Sequence, residues 1–380
     1  MSLTEEIKNI ALELGYSHAG ITTAEPFLLY NQALTERAPD YDWAIGSGIR
    51  LDRAVNPRNR LPNAKSIIVA IYDYYQEGFP ENLLGKVGRL YQSRAYIEAP
   101  NNPGGIRVQK MRQFLEAKGM QVGRWFMISS GVPDRLAAER AGIGRIDRNN
   151  FLCAPGIGTF VLIHTFIVDK ELEYDEPATG SHCPPDCRLC IDACPTGAIV
   201  VDFRLDPRLC LTFNHIMNVH GFLNTTPYIN PELRPKMGSW IHGCDICQEV
   251  CPKNQAKLKA TLPVNPFLEE IADNFSLTGL LKMDSETEAK VVAPLLHVYM
   301  NEPRHFQRNA AIALGNSCDP DIVPHLAEAM DDPEELVRAH TAWALGQLGG
   351  LSARRTLEAC FIREIGEHAK KEIRSAIEKT

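Results

Sequence analysis

The chain has 380 residues, of which 44% are hydrophobic and 23% are charged, the composition of an ordinary soluble globular protein with two or three domains. Its formal net charge of -7 excludes a global positive field that would draw the whole molecule onto nucleic acid or an anionic membrane. It also lacks a long uncharged apolar run, which argues against a membrane span.

The amino-terminal segment, residues 1–20, mixes charged and apolar residues at helical spacing, which predicts an amphipathic helix and not a signal peptide. We therefore expect a cytoplasmic protein whose eleven cysteines stay reduced. Nine of them fall between Cys153 and Cys251, and such clustering indicates metal binding more than a disulfide framework.

Residues 1–170 are predicted to form an α/β or α+β domain that holds cofactor and substrate. Three β-branched or aromatic runs predict strands, at Ser66–Tyr75, Gly123–Ser130 and Phe160–Val168.

A helix is predicted between the last two of these runs. Asp134 begins it, and a glycine-rich turn at Gly142 and Gly144 ends it. Because glycine carries no side chain, we expect this turn to let a cofactor approach the backbone.

Residues 171–260 are rich in cysteine, proline and short connections, as in a fold where metal sites replace part of the hydrophobic core. The first cysteine run reads HCPPDCRLCIDACPTGAIV and the second reads GCDICQEVCP. In two-cluster ferredoxins, closely spaced thiolates hold one [4Fe-4S] cluster, and the cysteine before proline reaches across to the other cluster. The spacing therefore predicts a ferredoxin-like module with two [4Fe-4S] clusters, which moves single electrons.

Two [4Fe-4S] clusters contain eight iron atoms, and eight cysteines are available to bind one iron each. Cluster 1 is predicted to bind Cys183, Cys187, Cys190 and Cys251. Cluster 2 is predicted to bind Cys194, Cys210, Cys244 and Cys247, where Cys210 is assigned because it is the remaining cysteine of the intervening segment. The first spacing has one residue more than the bacterial ferredoxin pattern, so we expect the loop at Pro184–Pro185 to bulge.

Two structural zinc sites are the alternative, since sets of four thiolates also form zinc ribbons. Zinc ribbons usually pair two CxxC motifs and rarely carry a Cys-Pro ending in both halves, so clusters are favoured. The nearby histidines are not needed as ligands and are expected around the clusters or at the surface: His182, His215, His220 and His242. The remaining cysteines are interpreted as structural thiols: Cys153, Cys318 and Cys360.

Residues 261–380 are predicted to be helical and contain an internal repeat. The segment 310–315 recurs at 341–346, an offset of 31 positions. Asp-Pro breaks at 319–320 and 332–333 are typical of paired helices joined by tight turns. The pattern predicts a short array of HEAT-like repeats.

The order of these motifs resembles the epoxyqueuosine reductase family along nearly the whole chain. A domain with DRLAAERAGIGRIDRN precedes the two cysteine runs, and the HEAT-like repeats follow them. The resemblance implies a cytoplasmic reductase with cobalamin and two [4Fe-4S] clusters, a core shared with reductive dehalogenases. It also implies a substrate, epoxyqueuosine in the tRNA anticodon loop, which loses its epoxide oxygen.

The resemblance further implies that electrons pass through the clusters to cobalt while an acid protonates the leaving oxygen. The segment after Cys210 is expected to line the cobalamin pocket. By the match, the other lining residues are Arg53 and the loop Cys153–Thr159, with Cys153, Ala154, Gly158 and Thr159.

The family's acid is an aspartate in a Val-Asp-Thr-Gly-like turn, and this chain reads Ile-Ser-Ser-Gly at residues 128–131. The candidates for proton transfer are Ser129 or Ser130, which would relay a proton from water, and Asp134, which matches a second family aspartate. Asp134 has another interpretation, because an acidic residue at a helix N-terminus is a good cap. A second departure is the Pro-Gly stretch at Asn101–Gly105, where the family has an aromatic and basic segment.

Three functions are open on these observations. The first is an enzyme that acts on tRNA and contacts phosphates through basic residues of the tail: Arg304, Arg308, Arg338, Arg354 and Arg355. The second is a reductase with the same cofactors and a small-molecule substrate. The third is an electron-transfer protein that reduces a partner's corrinoid or cluster. We expect a monomer that takes electrons from a low-potential donor and does not associate with a membrane.

Overall fold

The computed structural model describes residues 1–41, 51–97, 101–123, 131–180, 183–217, 226–296 and 302–380. The strands are β1 (His18–Thr23), β2 (Ser66–Asp73), β3 (Arg145–Ile146), β4 (Leu152–Cys153), β5 (Val161–Val168), β6 (Ile199–Val201) and β7 (Arg204–Leu205). The helices are α1 (Leu3–Glu13), α2 (Leu28–Tyr41), α3 (Arg89–Ser93), α4 (Pro103–Ala117), α5 (Asp134–Arg140), α6 (Leu189–Ala193), α7 (Ile246–Glu249), α8 (Gln255–Leu258), α9 (Pro266–Asn274), α10 (Leu277–Lys282), α11 (Ser285–Thr287), α12 (Ala293–Leu295), α13 (Pro303–Gly315), α14 (Val323–Ala329), α15 (Glu335–Leu348), α16 (Gly350–Arg363) and α17 (Glu367–Ile377). Within the described ranges, no helix combines the length and the apolar character that a bilayer crossing requires.

An antiparallel sheet forms the centre of the amino-terminal part, with β2 between β1 and β5. Successive side chains of β2 point to opposite faces, so Ile68 packs with residues of α1 and α4 while Ile67 and Val69 pack with residues of α5. Both faces are therefore covered, and the apolar run of β2 is buried without alternation. Antiparallel pairing makes this the α+β form of the predicted domain.

Two of the three predicted strands are confirmed, as β2 and β5, and the helix predicted from Asp134 is confirmed as α5. The third predicted strand, Gly123–Ser130, lies outside the described residues except for Gly123.

The glycine-rich turn after α5 serves packing. A Cβ on Gly142 would lie 2.5 Å from the carbonyl oxygen of Glu176, and a Cβ on Gly144 would lie 2.4 Å from that of Cys153. The expectation that a cofactor approaches these two glycines is wrong, because neighbouring protein backbone already fills the space.

Helices α13, α15 and α17 lie side by side, and the first two carry the repeated sequence. A Cβ on Gly315 would lie 2.7 Å from the Cα of Ala344, and a Cβ on Gly346 would lie 2.6 Å from the Cβ of Ala376. The glycine that ends each copy thus lets one helix approach the next at close range. The predicted helical repeat is confirmed, and in each copy the repeated glycine lies at the contact between neighbouring helices.

The helical tail shares a hydrophobic core with the cysteine-rich region. One continuous set of buried side chains runs from Leu83 and Ile241 to Ile312 on α13 and Leu345 on α15. Because this core is closely packed, it holds the helical tail in a fixed position relative to the segment that carries Cys244.

Buried polar groups join the same two parts. Arg308 on α13 is 0% exposed, and it donates hydrogen bonds to the carbonyls of Pro227 (2.6 Å), Asn214 (3.0 Å) and His215 (3.2 Å). The prediction that Arg308 contacts phosphates is therefore wrong, because a fully buried guanidinium cannot reach an RNA backbone.

The other four arginines lie nearer to solvent. Arg338 forms a two-pronged ion pair with Glu364, with both N–O distances 2.7 Å. Arg355 is exposed. The remaining two form ion pairs at the surface: Arg304 with Glu302 and Glu334, and Arg354 with Glu358.

Candidate functional site

The four cysteines predicted for cluster 1 line one cavity. They share it with the segment Asp147–Asn149 and with Leu189 and Pro252. The set joins three cysteines of the first motif to the last cysteine of the second motif, which is the crossover typical of two-cluster ferredoxins: Cys183, Cys187, Cys190 and Cys251.

The four cysteines predicted for cluster 2 form a second group. After burial, negative charge on Cys210 or Cys194 raises the pKa of the Cys244 thiol. Burial also raises the pKa of the Cys247 thiol, as does charge on Cys244, Cys210 or Cys190, so these cysteines lie close together. The fold therefore places Cys210 with the three cysteines that its assignment requires, and the two groups adjoin.

This set of donors suits iron-sulfur clusters. Burial raises the pKa of the Cys183 and Cys190 thiols to about 11, and burial also raises the pKa of the Cys244 thiol, so these groups stay neutral unless positive charge is supplied. Iron supplies that charge, because metal binding is coupled to deprotonation of the ligands.

Among the described residues, no group of three histidine, cysteine, aspartate or glutamate side chains is arranged to hold a single metal ion. The preference for clusters over zinc rests on the spacing of the two motifs and on their Cys-Pro endings.

Cys194 differs from the other cysteines of the second group. Burial raises its pKa, but hydrogen bonds from the hydroxyl and amide of Thr196 and from the amides of Ala198 and Ile199 outweigh burial and lower the pKa. The Thr196 oxygen lies 3.6 Å from the Cys194 sulfur, and the Ala198 nitrogen lies 3.3 Å from it. These hydrogen bonds thus favour the thiolate form of Cys194.

The segment Asp147–Asn149, which ends the DRLAAERAGIGRIDRN motif, contacts the first cysteine group although the sequence did not predict that contact. Arg148 donates hydrogen bonds to the carbonyls of Pro184 (3.3 Å) and Cys187, and it forms an ion pair with Asp202 at 3.0 Å. Arg148 therefore holds the loop that the extra residue of the first motif lengthens. The polar run that follows the glycine-rich turn was the available signal.

The loop predicted to line a cobalamin pocket is a tight turn, closed by hydrogen bonds in both directions between Ala154 and Gly158, each 3.0 Å long. Thr159 is fully buried; its amide donates to the Asn254 side chain at 2.9 Å, and its hydroxyl donates to the Gln248 side chain at 3.0 Å. Thr159 therefore ties the turn to the second cysteine motif.

The residues predicted to contact cobalamin do not share one surface. Arg53 is exposed, whereas Cys153, Ala154 and Thr159 are buried. The tip of the turn, Pro155 and Gly156, is exposed, and a Cβ added at Gly156 would meet open space. The turn tip is thus the exposed part of this loop, and the cobalamin-binding roles of Arg53, Gly158 and the buried residues stay predictions.

Cys153 lies near Asp147 and Cys251 of the first cysteine group, and in addition to burial their charges would raise the pKa of its thiol. Burial raises the pKa of its thiol, so it stays neutral, as the structural interpretation predicts. Of the four histidines, His215 and His242 are buried beside the second cysteine group, and His182 and His220 lie outside the described residues.

Asp134 is the first residue of α5, and Pro133 takes the N-cap position. The interpretation of Asp134 as the cap is therefore wrong, although a negative charge in the first turn still favours the helix. The Asp134 carboxylate accepts a hydrogen bond from the Thr165 hydroxyl at 2.9 Å. Ser129 and Ser130, the other candidates for proton transfer, lie outside the described residues.

Comparisons with known proteins agree with this arrangement. Residues 182–254 match a family model described as a 4Fe-4S double cluster binding domain, and residues 292–378 match HEAT repeats. The chain is 32% identical to an epoxyqueuosine reductase of Staphylococcus aureus, over 96% of this chain and 94% of the relative. It is 29% identical to the epoxyqueuosine reductase of Bacillus subtilis, over 99% of this chain and 95% of the relative.

Solved structures give the same result for the fold. The chain superposes on a crystal structure of selenomethionine-labelled epoxyqueuosine reductase with a TM-score of 0.80 and 28% identity, covering 99% of this chain and 98% of that one. A second structure, of epoxyqueuosine reductase with an epoxyqueuosine-modified tRNA-Tyr stem loop, has a TM-score of 0.81 and 27% identity at the same coverage.

Proposed function

The chain belongs to the epoxyqueuosine reductase family, and we propose that it is an oxidoreductase that converts epoxyqueuosine to queuosine in tRNA. The observation that carries the proposal is the similarity to the Staphylococcus aureus relative across 96% of the chain. The two groups of cysteines support it, because the reaction needs electrons delivered one at a time.

The chemistry defines what the chain must supply. Removal of the epoxide oxygen as water leaves a carbon-carbon double bond and consumes two electrons and two protons. The eight cysteines would hold two one-electron carriers, which matches the electron demand. We propose cobalamin as the further cofactor on family membership alone; when bound, it supplies low-valent cobalt as the reductant. The exposed turn tip at Pro155 and Gly156 is the part of the predicted pocket that suits it.

We propose that the tail binds tRNA, since exposed arginines there would contact phosphates. Arg355 and the partly exposed Arg304 and Arg354 are the available groups, and Arg308 is not one of them. We further propose a cytoplasmic monomer that receives electrons from a low-potential donor, with domain boundaries near residues 170 and 260.

The function is tested by an anaerobic assay. Reconstituted full-length protein, cobalamin and a low-potential reductant are incubated with epoxyqueuosine-containing tRNA, and the digested nucleosides are read by mass spectrometry. The expected result is loss of one oxygen from the modified nucleoside. If protein that holds both clusters and cobalamin leaves the nucleoside unchanged, the cofactors serve another substrate or a partner protein, and the proposal fails.

The proton donor is tested in the same assay with Asp134→Asn. Asparagine keeps the acceptor that Thr165 bonds but cannot give up a proton, so we expect turnover to fall by about 100-fold or more. The control is Asp273→Asn, which changes an exposed carboxylate on α9 and should leave turnover near normal. Normal turnover in both variants would remove Asp134 from the mechanism.

A further inference from the structure

The two groups of cysteines differ in the side chains that face their sulfurs. In the second group, the Thr196 hydroxyl lies 3.6 Å from the Cys194 sulfur. The Ala198 amide also donates to this sulfur, with the nitrogen 3.3 Å away. A ligand predicted for cluster 2 therefore has a neutral hydroxyl as a partner.

The first group has different partners. The side chain that faces Cys183 is the carboxylate of Asp147, which is 2% exposed. Cys183, Cys190 and Cys251 receive hydrogen bonds from backbone amides. Burial and the Asp147 carboxylate raise the pKa of the Cys183 thiol and so disfavour charge on that sulfur, whereas a hydroxyl that donates a hydrogen bond favours it.

The direction of the threonine hydrogen bond follows from iron binding. A cysteine that binds iron has lost its proton, so the hydroxyl must be the donor and the sulfur the acceptor. Reduction adds negative charge to the cluster and its sulfurs, and a hydrogen bond to a more negative acceptor is stronger. The donor thus stabilises the reduced cluster more than the oxidised cluster, and hydrogen bonds to the sulfurs are among the factors that set the potentials of such clusters.

We propose that the hydroxyl of Thr196 donates a hydrogen bond to Cys194, a ligand of cluster 2, and raises the reduction potential of this cluster above that of cluster 1. Electron transfer from cluster 1 to cluster 2 is then favourable. This inference rests on the two proposed clusters, but it requires neither tRNA nor turnover.

The test is a potentiometric titration of the reconstituted full-length protein, followed by electron paramagnetic resonance, in which two one-electron steps are expected. Thr196→Val removes the hydroxyl and keeps the shape of the side chain. We expect the step at higher potential to move down, so that the ratio of reduced to oxidised cluster at a fixed potential falls about tenfold, which corresponds to about 59 mV for one electron. Thr196→Ser restores the hydroxyl and should return the step close to its original potential.

Thr341→Val is the matched control, because it makes the same change in α15 at a buried hydroxyl that has no hydrogen-bond partner among the described residues. Neither step should move. The proposal is overturned if Thr196→Val with full iron content leaves the higher step in place or moves the lower step instead.

If Thr196→Val loses iron while Thr196→Ser keeps it, the hydroxyl serves cluster assembly and the proposal about the potential fails. A normal shift in potential without conversion of tRNA would overturn the proposed function and leave this inference in place.

Discussion

Replacing Cys210 with alanine is expected to reduce the iron content from about eight to about four atoms per chain and to abolish turnover. Cys210 comes from neither of the two cysteine motifs, yet it lies among Cys194, Cys244 and Cys247. Without its sulfur, one corner of cluster 2 lacks a protein ligand. Iron analysis and the electron paramagnetic resonance spectrum of the reduced protein measure the effect.

The control for this variant is Cys318→Ala, which removes an exposed cysteine of the helical tail and should leave the iron content unchanged. Cys153 cannot substitute for Cys210, because it faces Asp147 and Cys251 on the side of cluster 1. A Cys210→Ala protein that retains about eight irons would therefore contradict the ligand assignment and not merely shift it to a neighbouring thiol.

Replacing Arg308 with methionine is expected to destabilise the folded protein by about 3 kcal/mol or more, because two buried carbonyls and the partly buried carbonyl of Pro227 lose a charged donor. Two of these carbonyls belong to Asn214 and His215, which follow Cys210 in the chain. The neighbouring Asn309 donates to the carbonyls of His215 (3.3 Å) and Ile241 (2.8 Å) and so joins the segments of Cys210 and Cys244. We therefore expect loss of iron from cluster 2 to accompany the loss of stability.

Arg304→Met is the matched control, one helical turn earlier on α13. Arg304 forms surface ion pairs, which are worth about 1 kcal/mol or less. The thermal unfolding midpoint and the iron content of the Arg304→Met variant should therefore stay near those of the original protein. Equal thermal unfolding midpoints of the two variants would show that the buried contacts of Arg308 do not stabilise the cysteine-rich region.

The difference between these two arginines could not be predicted from the sequence pattern. Arg304 and Arg308 are four residues apart on one helix and look alike as basic residues in a helical repeat. Only the partner surface distinguishes them: the carbonyl of Asn214, which accepts from Arg308, is 94 positions away in the chain. Periodicity places a side chain on a helix face, but it does not say what covers that face.

The two cysteine motifs, the central strands and the helical repeat could be predicted from the sequence, because each depends on spacing within a short stretch of chain. Which groups hold the site in place could be read only from the folded structure. Arg148 secures the first cysteine loop, Thr159 is bound by Asn254, and backbone fills the glycine-rich turn that was expected to admit a cofactor. These outcomes depend on contacts between segments that the fold brings together, and no local pattern specifies them.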